Sequence, residues 1–416
     1  MSATGVLRAG LAAAWLALPA TADPVSRMPR QFHIGEPVMA EAATTAGLRA
    51  WIAAFRARAL DQGIAPETFD AAMAGQELLP AVLDRDLHQN EFTRTIWDYL
   101  DKAVSDDRVS AGRQALRDRA LLLGRIEAEY GVDRQVLLAI WGLESAYGRV
   151  RGDISTPGAL ATLAYASRRG AFFETQLVAA LRILQAGDVT PARMLGSWAG
   201  AMGHTQFMPT SYQDLAVDFD GDGRRDIWAE DPADALASTA AFLRRWGWKT
   251  GQPWGVEVVL PQGFDYGLTG ETVHKPVADW AALGVTAAGG GALPEAGPAS
   301  VLLPGGARGA AFLIFGNFHV LEHYNPADAY VIAIGHLGDR ILGGAPIAAA
   351  WPRDLRALTY DERTELQRRL TAAGFAAGGA DGRIGPLTVA AIRAFQAAQG
   401  LVPDGFASPD LLDRLR

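Results

Sequence analysis

Apolar residues recur at spacings of three and four through most of the first half of the chain, the pattern of helices that bury one face. Segments 46–63 (AGLRAWIAAFRARALDQG), 113–131 (RQALRDRALLLGRIEAEYG), 132–149 (VDRQVLLAIWGLESAYGR) and 168–187 (RRGAFFETQLVAALRILQAG) predict helices. Gly63, Gly131, Gly148 and Gly187 stand where helices commonly stop. A further helix is predicted over 232–248, after an acidic loop. From 251 to 335 the pattern changes to short β-prone runs separated by Gly and Pro: GVEVVLP, ASVLLP, AAFLIFG and AYVIAIG. These predict a small sheet or hairpin elements packed on a helical body.

After the Gly/Ala/Pro stretch LGGAPIAAAWPRD, residues 359–416 read as three short amphipathic helices. Pro386 is placed to open the middle one and Gly400 to end it. LQRRLTAAGF and FQAAQGLVPDG are loosely alike, as in a duplicated half-motif, and Asp-Gly turns at 381–382 and 404–405 punctuate the loops. The fold class expected is α+β, predominantly α: a helical core, a small β-containing subdomain and a C-terminal three-helix module.

The amino terminus has a different pattern. A single Arg8, an apolar run from Ala9 to Ala20 and the small-residue site Ala20-Thr21-Ala22 read as a cleavable export signal, residues 1–22. Residues 23–43 lack periodicity and read as a leader. No apolar run reaches the roughly 18 residues that suggest a spanning helix. At 416 residues the chain is long enough for two to three domains, and it contains no cysteine. That excludes thiol catalysis, cysteine zinc sites and a lipidated amino-terminal cysteine. A formal net charge of −8 argues against nucleic acid, whose phosphates call for a basic face.

Within LLAIWGLESAYGR, Glu144 is the one charged group before Arg149. On a continued helix it shares a face with Leu137, Ile140, Trp141, Tyr147 and Gly148. Apolar surroundings favour the protonated form, and a carboxylic acid kept neutral can serve as a general acid, for instance on a glycosidic oxygen. The alternative is a buried structural Glu paired with Arg149 or Arg151. Residues 196–212, GSWAGAMGHTQFMPTSY, combine glycines with Ser197, Gln206 and aromatics, which suits close approach to a polar ligand. His204 has no second histidine at ligand spacing and reads as a loop residue. In DFDGDGRRDIW, Asp218, Asp220, Asp222, Gly223, Arg224 and Asp226 fall at positions 1, 3, 5, 6, 7 and 9 of an EF-hand-type loop. Position 12 is Ala229, where a bidentate Glu belongs.

GLESAYGR, LATLAYASRRGAFFETQL and GSWAGAMGHTQFMPTSYQDLAVDFDGDG together resemble the membrane-bound lytic transglycosylase B family of the lysozyme-like superfamily, in order from about Leu48 to Leu337. The C-terminal LQ..L, DGRIGPLT..AI..FQ and GL..DG resemble a three-helix peptidoglycan-binding domain. The resemblance implies a lysozyme-like catalytic domain over 44–340, a linker over 341–358 and a wall-binding module over 359–416. It implies an enzyme that cuts the bond between N-acetylmuramic acid and N-acetylglucosamine, with Glu144 as acid and then base, leaving 1,6-anhydro ends. By the same resemblance Ser197 and Gln206 hold the saccharide, Tyr99, Phe207, Tyr324 and Tyr330 form aromatic walls with Asn325 beside them, and Arg168 and Arg169 meet substrate carboxylates. Phe172 stands where the family has tyrosine. The family's acidic loop closes on a later Asp, here Asp234 with Glu230 and Asp231 as competitors, which gives Asp218, Asp220, Asp222, Arg224 and Asp234 as ligands of a structural calcium. No cofactor is needed for the chemistry. The expected partner is peptidoglycan, the expected state a soluble periplasmic monomer. A hydrolytic muramidase or a non-catalytic wall-binding scaffold remain the alternatives.

Overall fold

The computed structural model describes residues 43–87 and 94–416. The export signal and nearly all of the leader expected from the sequence lie outside the described residues. The helical body begins with α1 (Thr45–Asp61), α2 (Pro66–Met73), α3 (Pro80–Leu87), α4 (Ile96–Ala103), α5 (Asp106–Asp118), α6 (Ala120–Tyr130) and α7 (Arg134–Ser145). It continues with α8 (Thr156–Ala166), α9 (Gly170–Ala186), α10 (Pro209–Leu215) and α11 (Ala233–Arg245). Side-chain caps start several of these: Thr44 accepts from the Gly47 amide, Ser105 from Arg108 and Ser155 from Gly158. The stretch 113–131, expected as one helix, breaks at Arg119 into α5 and α6.

Two short strands, β1 (Ile154–Ser155) and β2 (Leu195–Gly196), pair antiparallel and bring the segment after α7 beside the loop that carries Ser197. The β-containing part is a four-stranded antiparallel sheet, β3 (Gly255–Val259), β4 (Thr286–Ala287), β5 (Ser300–Leu302) and β6 (Ala311–Ile314), in the order β4-β3-β6-β5. Around it lie α12 (Val277–Ala282) and α13 (Gly316–Glu322). The sheet has its own apolar core, in which Trp280 is fully buried and donates its indole N–H to the Ala299 carbonyl.

One expected strand is a helix. AYVIAIG lies within α14 (Asp328–Ile341), where Tyr330, Val331, Ile332, Ala333 and Ile334 are all buried. An apolar run covered on every side has no period to distinguish strand from helix, and tertiary packing decides. α14 lies against α7, α5 and α4 in the main core, and that core also includes the buried face of α7, from Val136 to Trp141.

The C-terminal helices are α15 (Tyr360–Ala372), α16 (Pro386–Ala398) and α17 (Pro409–Leu415), around a separate core of Leu366, Leu370, Ile392, Phe395 and Leu411. A capping box of Thr359 and Glu362 opens α15, and Pro386 is the first residue of α16. The duplication read in the sequence has a structural counterpart. Gln367 donates to Asp381 and accepts from the Gly382 amide, and Gln396 donates to Asp404 and accepts from the Gly405 amide. Each half therefore fastens an Asp-Gly turn with a buried helical glutamine. The module also touches the sheet: Asp404 accepts from the Ala307 amide, and Arg393 donates to Thr269.

Candidate active site

Glu144 is the penultimate residue of α7. The helix does not continue to Tyr147 and Gly148 as expected, because Ala146 (φ 50°) and Tyr147 (φ 59°) both turn left-handed. Gln206 (φ 55°) does the same, and these three are the only such non-glycine residues among those described. Left-handed backbone costs an L-residue energy and persists only where the surroundings impose it. Here they do. The Tyr147 ring lies edge-on to Trp141 and its hydroxyl donates to the Arg108 carbonyl at 2.9 Å. It also rests on Gly142, where a Cβ would come within 2.6 Å of the ring.

A polar strut fixes the same helix end to the loop that carries Gln206. Ser145 Oγ donates to the His204 carbonyl at 2.6 Å, and Trp141 Nε1 donates to His204 Nδ1 at 3.0 Å. That bond puts the imidazole proton on Nε2, which donates to the Ala229 carbonyl at 2.7 Å. Burial holds His204 below the usual histidine value, so it stays neutral in this role. The loop residue of the sequence reading is a buried brace.

Glu144 is half-buried and receives the Tyr330 hydroxyl on Oε1 at 2.5 Å. Tyr324 stands near, its hydroxyl donating to the Thr205 carbonyl at 2.6 Å. Both phenols are pushed well above the usual tyrosine value, by burial first and by the Glu144 charge second, so they act as donors. Tyr99 bears on Tyr330 from α4. The arginines of the structural alternative point elsewhere: Arg149 donates to the Ala146 carbonyl, and Arg151 to the Trp228 and Ala229 carbonyls and to Glu230.

Gln206 spends both amide hydrogens on the Arg151 and Gly203 carbonyls, at 3.0 and 2.9 Å, which fixes its side chain beside the end of α7. Ser197 Oγ accepts from the amides of Ala199 and Ala201 within its own turn. Phe207 is 2% exposed and packs on Phe242 and Tyr324, behind the site rather than as an open wall. Asn325 Oδ1 accepts from the Ala327 amide and shapes the turn into α14. Arg168 is exposed, and Arg169 pairs with Asp86 at 3.2 Å and covers the rings of Phe172 and Phe173. Tyr147, Ser145 and Trp141 are the contributors whose roles the sequence did not announce. The one available signal was the aromatic and polar density around Glu144.

In the acidic loop, Asp218, Asp220 and Asp222 bring carboxylate oxygens within 4.8 Å of one another, all exposed. Gly221 (φ 81°) and Gly223 (φ 89°) let the loop close on itself. Asp234 is 2% exposed and stands outside this trio. Its Oδ1 accepts from the amides of Phe219 and Asp220 and its Oδ2 from Asp226, so it clamps the loop's backbone. Burial, and then the charges of Asp234, Asp222 and Asp220, push Asp226 up to about 6. An all-oxygen donor set with this excess of negative charge fits calcium.

The transglycosylase SLT domain family matches residues 47–339, and the peptidoglycan binding domain family matches residues 359–415. The membrane-bound lytic murein transglycosylase B of Escherichia coli (strain K12) is 33% identical over 246 residues, 58% of this chain and 66% of that protein. The crystal structure of SltB3 from Pseudomonas aeruginosa in complex with NAG-NAM-pentapeptide superposes with a TM-score of 0.87 at 50% identity, covering 89% of this chain and 99% of that one. An Escherichia coli lytic transglycosylase in complex with calcium superposes at 0.61 with 28% identity, over 72% of this chain and 94% of that one.

Proposed function

The chain belongs to the transglycosylase SLT domain family, and from this premise we propose that it is a lytic transglycosylase that cleaves peptidoglycan glycan strands with Glu144 as general acid and then base. The observation that supports this most is Glu144 itself: a carboxylate at a strained helix end, held on one oxygen by Tyr330.

Glu144 in its acid form gives its proton to the glycosidic oxygen between N-acetylmuramic acid and N-acetylglucosamine. The C1–O bond breaks and the leaving sugar departs as an alcohol. The muramic 2-acetamido oxygen shares the positive charge developing at C1. The Glu144 carboxylate is stabilised by the Tyr330 hydroxyl, since a hydrogen bond to the charged form favours it. It then takes the proton of the muramic 6-hydroxyl as O6 bonds to C1, closing the 1,6-anhydro ring. Acid and base are the same residue, so one carboxylate suffices where most glycosidases use two. Gln206 and Ser197 orient the acetamido and saccharide groups, and Tyr99 and Tyr324 with Asn325 line the glycan's path. Arg168 and Arg169 take substrate carboxylates at the edge of that path.

We assign residues 1–22 as a cleaved export signal, 23–43 as leader, 44–340 as the catalytic domain, 341–358 as linker and 359–416 as the wall-binding module, for work in the periplasm. No described helix is long and apolar enough to cross a membrane. Calcium, held by Asp218, Asp220, Asp222 and the Arg224 carbonyl, would stiffen the loop that Asp234 clamps, and takes no part in the chemistry.

Mass spectrometry of soluble products from purified peptidoglycan tests the reading. Ends in 1,6-anhydro-muramic acid are expected. Reducing ends would make the enzyme a muramidase, and wall binding without products would leave a scaffold.

A further inference from the structure

A second group of metal-ligating side chains comes together away from the acidic loop. Glu271, His319 and Glu322, all half-buried, each offer a donor atom, and these atoms lie within 4.8 Å of one another. His319 and Glu322 stand three residues apart on one face of α13, with His319 Nδ1 2.7 Å from Glu322 Oε2. Glu271 comes from the loop of the sheet subdomain that follows the Thr269–Val301 bridge. Asp328 adds its charge beside Glu271. His274 lies edge-on to His319 with ring centroids 6.0 Å apart, its Nδ1 held 3.0 Å from Ser300 Oγ.

The pair of His319 and Glu322 needs no third member to be stable, yet the fold folds Glu271 onto it. Gathering carboxyls out of bulk water is costly unless a proton or a cation bridges them; Glu271 already shares hydrogen bonds with Glu322 and Asp328, and a bound cation would take the place of the shared proton. The donor chemistry separates this group from the acidic loop. Calcium takes oxygen ligands, whereas one imidazole nitrogen with two carboxylates suits the borderline transition ions. Ligation on bonds of about 2.0–2.2 Å would replace the His319–Glu322 hydrogen bond and draw the three donors together by rotamer changes, with water completing the shell.

We propose that Glu271, His319 and Glu322 form a structural site for a divalent transition ion of the zinc class, joining the sheet subdomain to α13. The consequence for the enzyme is positional. α13 runs directly into Tyr324 and Asn325, and the next helix carries Tyr330, the partner of Glu144. An ion here ties down the chain that forms this wall.

Chelator-stripped full-length protein is titrated with Co2+, whose visible absorption reports an ordered nitrogen–oxygen site, and its melting temperature is followed with Zn2+. Stoichiometric Co2+ absorption and a rise of a few degrees with Zn2+ are expected, both lost in His319→Ala and in the isosteric Glu271→Gln. Asp218→Asn, in the acidic loop, and Glu144→Gln should keep both signals, which separates this result from the calcium and peptidoglycan readings. Circular dichroism establishes that the variants fold. Absence of a Co2+ spectrum in folded wild-type protein, or signals that both site variants retain in full, would overturn the proposal.

Discussion

In the C-terminal module each buried glutamine finds its Asp-Gly turn close in the chain: Gln367 reaches Asp381 fourteen positions on, and Gln396 reaches Asp404 eight positions on. At the end of α7 the partners are remote. Ser145 meets His204 at a separation of 59 residues, and Tyr330 meets Glu144 at 186. The acids differ in the same sense. In the module, Glu362 is held at about 2 by Arg356 of the preceding segment, and Arg416 with Arg369 holds Glu365 at about 2. In the body, burial pushes Asp339 up to about 6 and the phenols beside Glu144 higher still. A module whose buried glutamines are satisfied locally can fold as a small unit. A site assembled from distant segments depends on the whole body being folded, and it can hold strain and raised acids that a surface could not.

The largest expected effect comes from the remote end of that contrast. Glu144→Gln should fold and bind peptidoglycan normally yet lose at least roughly a hundredfold in turnover, the lower range for a general acid. Near-wild-type turnover would remove the residue from the chemistry. Tyr330→Phe deletes a bond worth about 1.5–3 kcal/mol to a charged acceptor. Turnover should fall about ten- to a hundredfold, and the rate limb set by Glu144 should move to higher pH, because the carboxylate loses its donor. A loss of rate with an unshifted pH profile would make Tyr330 merely structural.

The acidic loop tests whether a surface cluster stabilises a remote body. Saturating calcium at about a hundred times its dissociation constant is worth about 2.7 kcal/mol. Calcium added to chelator-stripped protein should therefore raise the melting temperature by several degrees, and Asp220→Asn should lose the response. In the module, Gln367→Ala leaves the Asp381-Gly382 turn without its partner, at a cost of about 1–3 kcal/mol. It should lower wall affinity and module stability while leaving turnover on short soluble glycans unchanged. Reduced turnover on those glycans would mean that the two units are coupled.

The smallest effect concerns a buried acid of the body. Asp339 accepts from Trp254 Nε1 at 2.9 Å, and burial raises it from 3.8 to about 6. A folded value above the unfolded one means that stability present below about pH 4 is lost as pH rises through about 6, by at most about 3 kcal/mol. Asp339→Asn removes this penalty but weakens the hydrogen bond. It should raise the melting temperature by a few degrees at pH 7.5 and leave it unchanged at pH 4, as calorimetry at both values would show.

Much was legible because it is local. Helical periodicity, Pro386 opening α16 and the repeated Asp-Gly turns follow from spacing and backbone preference, which the folded chain need not override. The misread element, AYVIAIG, failed for the same reason in reverse: its environment is apolar on all sides, and its helicity is settled by packing against α7.

Glu144 was conspicuous by charge alone, as were the acids at 218, 220 and 222. Periodicity could not foretell that α7 stops one residue after Glu144, because Ala146 and Tyr147 have no glycine's freedom and are held left-handed by Gly142, Arg108 and Trp141. Nor could it place Tyr330 on Glu144, His204 under Trp141 or Glu271 against His319. Sequence by itself determined the helices with a clear apolar period and which residue types were at hand for chemistry, through interactions within a turn or two. Tertiary structure alone decided which of those groups meet, because hydrogen bonds and ion sites between distant segments exist only once apolar burial has brought the segments together.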